Sequence, residues 1–173
     1  GSVGANDNAS GTAVLLTLAQ EVKDTSLPFT LQFVAFGSEE IGLLGSSNYV
    51  VSLQVGALGR IRAMLNLDSV GSGEPLVVGG DFDLVNAVLE AATERGIEAT
   101  MGREPQGAVS DHFVFRAGGV PVVFFIGRDI SRINSPEDTL EFVEPELLGD
   151  AVNLGLGLLI ALAEEGAEGF RFP

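Results

Sequence analysis

SDHFVFRAGGVPVVFFI, residues 110–126, packs a cap, a short helix, a glycine stop and an unbroken apolar strand into one stretch. Ser110 suits the free N–H groups of a first helical turn. The helix it opens is expected to reach Ala117 and to stop at Gly118. Val120–Ile126 then reads VPVVFFI, with no polar residue on either face. A strand that does not alternate is covered on both sides, which belongs to a sheet with helices on both faces. Pro121 is tolerated because it falls near the strand's beginning.

The same alternation extends outward. TLQFVAF (Thr30–Phe36), IRAMLNL (Ile61–Leu67) and the short Leu76–Val78 read as further strands. Helices are expected over Ser10–Val22, Glu39–Leu53, Asp81–Arg95 and Pro145–Glu164, from apolar residues at helical spacing. Gly96 stops the third, and Pro145 suits the first helical position of the fourth. With no repeat, low-complexity tract or linker, residues 1–173 read as one domain. The expected class is α/β: a three-layer sandwich with a mostly parallel, doubly wound sheet covered by helices on both faces.

Net charge is −15, with 24 acidic residues against nine Lys and Arg. That field repels a phosphate backbone, so nucleic acid is not an expected partner. It draws in a metal ion or a free amine. There are no cysteines, which excludes disulfides and thiolate metal sites. No apolar run attains the roughly 18 residues of a membrane span. Leu154–Ala163 comes nearest and is interrupted by Gly155 and Gly157, so no membrane partner is expected. No signal-peptide pattern is visible.

In doubly wound sheets, ligands bind beyond the carboxyl ends of the strands. TLQFVAF runs into Gly37-Ser38-Glu39-Glu40, IRAMLNL into Asp68-Ser69, and VPVVFFI into a loop ending Asn134-Ser135-Pro136-Glu137-Asp138-Thr139. The segment GANDNASG (4–11), with Asp7, leads into the first helix. Each acid has an ordinary reading: Asp7 a cap, Glu39-Glu40 first-turn acids, Asp68 a turn former, Asp138 an Asx turn. His112, the single histidine, is more often structural than a ligand on such a helix. What changes the reading is the concentration of acids at separate strand ends. Carboxylates gathered in one pocket repel unless a cation joins them or some are protonated. Divalent metals would resolve the repulsion and activate a water whose proton another carboxylate takes. Phe113, Phe115, Phe124 and Phe125 are expected to be core rather than a specificity pocket.

The ordered set GANDNASG, SEE, NLD, SDHFVF and NSPEDT resembles the zinc aminopeptidase family, which also contains glutaminyl cyclases. The resemblance implies a metal-dependent peptide hydrolase that removes N-terminal residues from substrates with a free N-terminus. It assigns Asp7 as a carboxylate bridging two zinc ions, Glu40 and Asp68 as further ligands, and Glu39 as general base. Asp111 and Asp138 would orient those ligands. It also implies secretion or a periplasmic location. Two departures stand out. The family's upstream strand with a His two residues before an Asp is absent, so N-terminal truncation is expected. The usual metal-ligating His of the last motif is Asn134, a weak ligand, and Ile133 replaces a Tyr found in some members. An oxygen-rich set suits manganese, magnesium or calcium better than zinc. The alternative expectation is a catalytically impaired relative or fragment acting as a binding or structural domain. Glutaminyl cyclisation is a third reading that no residue favours.

Overall fold

The computed structural model describes residues 1–104 and 108–168. After a π-type turn at Ala5–Ser10, the elements are α1 (Gly11–Val22), α2 (Leu44–Ser52), β1 (Met64–Leu67), β2 (Leu76–Gly80), α3 (Phe82–Arg95), β3 (Ala99–Met101), α4 (His112–Ala117), β4 (Val122–Ile126) and α5 (Pro145–Glu168). The sheet has the order β1-β4-β2-β3. β1 with β4 and β2 with β3 are parallel, while β2 and β4 run antiparallel. The sheet is therefore mostly parallel, with one reversal at its centre.

Side chains alternate across β1 and β4, and this separates the two faces. Leu65, Leu67, Val123 and Phe125 join the larger core with Val14 and Leu18 of α1, Leu84 and Val88 of α3, and Leu154 and Leu158 of α5. Met64 and Val122 point the other way, to Phe115 of α4 and to Tyr49 and Val50 of α2. Helices thus cover both faces. Phe115, Phe124 and Phe125 are buried, as expected of core.

α5 is the central helix of the larger layer. Its segment Pro145–Glu165 is long and apolar enough to cross a membrane by length and composition, with a mean hydropathy of 1.6. The apolar-run reading missed this because Asp150 and glycines break the run without lowering the average much. In this fold the helix buries Leu147, Ala151, Leu154 and Leu158 against α1 and α3. Gly157 is where α3 comes closest: a Cβ there would lie 2.5 Å from the Ala91 Cβ.

Three expectations are corrected. Thr30–Phe36 forms no ladder among the described residues. It is separated from β1 by an apolar cleft of about 570 Å3 lined by Phe33, Val34, Met64 and Leu65, and without a paired neighbour its β-prone side chains do not make a strand. The second helix starts at Leu44 rather than Glu39, because Ser38 (φ 63°), Gly42 (φ 103°) and Leu43 (φ 56°) are left-handed and break the helical path. β3 was not anticipated; it is a three-residue edge strand. Remaining differences are end shifts: β1 begins at Met64, β2 extends to Gly80, α3 begins at Phe82, α4 at His112, β4 at Val122, and α5 continues to Glu168.

Candidate metal centre

The GANDNASG segment is stitched to the end of β1 by its own polar side chains. The Asn6 Oδ1 accepts from the Gly71 N–H at 2.7 Å. The Asn8 amide donates to the Leu67 carbonyl at 2.9 Å and accepts from the Gly11 N–H at 3.0 Å. The Ser10 hydroxyl accepts from the Val70 N–H and donates to the Asn6 carbonyl. Gly11 lies so close to β1 that a Cβ would sit 2.2 Å from the Leu67 carbonyl oxygen. Asp7 is thereby delivered beside Asp68, which follows β1. The sequence offers Asn8 or Ser10 as a cap of the first helix, and Asn8 does accept from the Gly11 N–H; their bonds to Leu67 and Val70, and that of Asn6 to Gly71, join positions about sixty apart and were not anticipated.

Asp138 completes the clamp. It is 1% exposed, and its two carboxylate oxygens accept from the backbone N–H groups of Asn6 (2.7 Å) and Asp7 (3.0 Å). Its place in the sequence-derived set is therefore under the Asp7 loop, touching backbone. Asp68 accepts from the Ser110 hydroxyl at 2.5 Å and, more weakly, from Ser69 at 3.5 Å.

Glu39 and Glu40 sit on a turn, not a helix. The Glu39 carbonyl accepts from the Gly42 and Leu43 N–H groups. Left-handed Ser38 precedes the pair, and left-handed Ser69 (φ 54°) follows Asp68. Such backbone at non-glycine residues is costly and collects at functional sites.

The charges show which acids meet. Burial, then the charges of Asp68 and Glu40, a hydrogen bond shared with Glu40 and the charge of Asp138 push Asp7 from its ordinary 3.8 up to about 7. Burial, then the charges of Asp68, Glu40, Asp111 and Asp7, push Glu39 from 4.5 up to about 7. Asp111 is raised as well, chiefly by burial and by Asp68, against the Ser46 hydroxyl that favours its ionised form. Its Oδ1 is buried with no hydrogen-bond partner among the described residues. Asp7, Glu39, Glu40, Asp68 and Asp111 thus share one field. Asn134 is exposed with φ 59°, and no hydrogen bond ties it to these acids among the described residues.

Among the described residues, no three carboxylates or imidazoles already converge as a ligand set. Asp7 and Glu39 nevertheless each feel the charges of Asp68 and Glu40. The cluster fits a divalent cation in charge and donor type: crowded acids of raised pKa and an unsatisfied buried carboxylate oxygen are what a cation relieves.

His112 is buried and takes no part in the acidic group. It stacks on Phe124 with ring centroids 5.1 Å apart and bonds to Asn66 and Glu104. This agrees with a supporting rather than a ligating histidine.

A covered α/β sheet with acids gathered at a β-strand terminus and beside a helix-opening loop defines a hydrolase-like scaffold. The model of Peptidase family M28 matches residues 1–158, and the chain belongs to that family. It is 36% identical over 167 residues to Aminopeptidase YwaD of Bacillus subtilis, a match covering 88% of this chain and 36% of the relative. It is 30% identical over 177 residues to a Probable leucine aminopeptidase of Arthroderma benhamiae, covering 92% and 48%. Among solved structures, BSAP, a zinc aminopeptidase from Bacillus subtilis, superposes with a TM-score of 0.82 at 33% identity, covering 94% of this chain and 42% of that one. The chain thus spans between about a third and a half of the length of these relatives.

Proposed function

We propose that this chain carries the hydrolytic site of an aminopeptidase-type metallopeptidase, acting on peptides with a free N-terminus. The observation that carries the proposal is the membership of residues 1–158 in Peptidase family M28, with Glu39 in one electrostatic field with Asp7, Glu40 and Asp68. Asp7, Glu40 and Asp68 are the residues that would hold one or two divalent ions, with Asn134 a weak oxygen donor on a neighbouring loop. Zinc is the metal named for BSAP; the oxygen-rich donor set suits manganese, magnesium or calcium better. When bound, such an ion lowers the pKa of water and polarises a carbonyl.

Glu39 supplies the acid–base chemistry. Its carboxylate, half-buried beside the proposed ligands, would accept a proton from water and return it to a departing amine. Asp138 fixes the backbone of the Asp7 loop, and Ser110 fixes one oxygen of Asp68. Asp111 adds negative charge beside Glu39 and Asp68. The net charge of −15 favours approach of a substrate ammonium. An export destination, secreted or periplasmic, is supported by a relative named as a probable lipoprotein aminopeptidase.

The test is hydrolysis of aminoacyl-nitroanilides by the metal-loaded chain. Turnover that is abolished by chelator and restored by zinc or manganese is the expected result. No turnover with any divalent ion, from folded protein that binds it, favours the second reading. In that reading the chain is a binding domain that lost catalysis, and exposed Asn134 in place of an imidazole is the observation behind it.

A further inference from the structure

A line of polar side chains leads away from Asp68 on the α4 face of the sheet and is not needed by the chemistry above. The Asn66 side-chain nitrogen lies 2.8 Å from the Ser110 hydroxyl and 3.2 Å from His112 Nδ1. His112 Nε2 lies 2.9 Å from Glu104 Oε1, which also accepts from Arg116 at 3.1 Å. His112 is 1% exposed and Asn66 8% exposed, so the bond between them is shielded from water, while Glu104 and Arg116 lie nearer the surface.

Donor and acceptor rules fix the hydrogens along this line. The Ser110 hydroxyl spends its single proton on an Asp68 carboxylate oxygen. Ser110 must then accept from Asn66, which orients the carboxamide with its NH2 group between Ser110 and His112. The NH2 has two protons, one for each neighbour. His112 Nδ1 is therefore the acceptor, and its proton sits on Nε2, where it donates to Glu104. Burial works against the charge of Glu104, yet the bonds from His112 and Arg116 hold its carboxyl below the usual range. Glu104 thus stays an acceptor.

We propose that Glu104, through His112 and Asn66, is a positioning residue for Asp68: it selects the His112 tautomer that forces the Ser110 proton onto the Asp68 carboxylate. Removing the Glu104 acceptor frees His112 to carry its proton on Nδ1. Asn66 then turns its carbonyl towards His112 and Ser110, the Ser110 proton turns to Asn66, and Asp68 loses its bond. The consequence for metal binding rests on the reading of Asp68 as a ligand; the hydrogen-bond order does not.

Because His112 is the single histidine, its ring nitrogens are read directly by 15N–1H correlation in the metal-free chain. Wild type is expected to show the proton on Nε2. Glu104→Leu is expected to shift it towards Nδ1 and to move the Asp68 carboxyl 13C signal as Ser110→Ala does. Glu104→Gln, which keeps an acceptor oxygen, is expected to restore both signals. Manganese affinity by calorimetry is expected to fall about tenfold in Glu104→Leu and in Ser110→Ala, the lower end of what outer-shell partners of a metal site contribute. The double variant is expected to be no weaker than Ser110→Ala alone. A wild-type His112 protonated on Nδ1, or an Asp68 signal unmoved in folded Glu104→Leu, overturns the proposal. The expected signals in a chain that binds no divalent ion support the relay while overturning the metal reading.

Discussion

Asp7 and Asp68 are gripped, the first through its backbone N–H donating to buried Asp138 and the second by the Ser110 hydroxyl, whereas Glu40 and Asn134 are exposed and Glu39 rides on a turn between left-handed residues. The gripped pair is bonded through Asp138, Asn6, Asn8, Ser10 and Ser110, groups that also hold the loop to the sheet. The other side has few such ties. The difference separates two jobs. The Asp7–Asp68 side is part of the folded scaffold, so damage there costs stability. The Glu39–Asn134 side is set by what binds, so damage there costs binding or turnover and leaves the fold intact.

The sharpest division is expected from Glu39→Gln. It should lower kcat for nitroanilide hydrolysis by about 10²–10⁴, the usual weight of a general base. Its Tm should be unchanged or slightly raised, because a carboxyl whose ionisation is opposed by four neighbours has been neutralised. A stability loss as large as that of a clamp residue would break the comparison. Asp138→Ala is the matching change on the gripped side. It strands two backbone N–H groups, and urea unfolding should show a loss of about 2–6 kcal/mol, from ~1–3 kcal/mol for each unsatisfied donor.

Asn134→His should tighten zinc binding by roughly tenfold, equivalent to about 1.4 kcal/mol, since imidazole is the better ligand for that ion. Unfolding by urea should be unaffected, because Asn134 is exposed and has no bond to the acids. An unchanged zinc affinity would remove this loop from the site. A further effect is expected in the pH dependence of metal-free stability. Asp7 and Glu39 hold protons up to about pH 7 when folded, against ordinary values of 3.8 and 4.5. The stabilisation from those bound protons is full below the ordinary values and is lost as pH rises through about 7. Tm should therefore fall across that window, and Asp7→Asn should flatten the fall.

Much of this was legible in the residues. VPVVFFI announced a strand buried on both faces, and Val122, Val123, Phe124 and Phe125 are all buried. α3 and α5 followed their apolar spacing and their Gly96 and Pro145 signals. The meeting of Asp7 with Asp68 followed from the rule for strand ends. What was not legible depends on partners remote in sequence. Thr30–Phe36 has the composition of a strand, but a strand needs a ladder, and an apolar cleft lies between it and β1. Nothing in Leu76–Val78 or Val120–Ile126 signals that the two pair antiparallel. The Glu39 helix failed because Ser38 and Leu43 adopt a left-handed backbone that their residue types do not advertise. His112 was expected to be structural, but its line of bonds to Asp68 passes through Asn66, which no local pattern marks.

The central claim is that these acids are crowded together for a cation. Titration calorimetry with manganese near about pH 6, repeated in buffers of different ionisation enthalpy, tests it most directly, because binding to protonated carboxyls must release their protons. The account expects saturable binding with proton release, and loss of both in Asp7→Asn. Binding without proton release, or no binding to the folded chain, would contradict it.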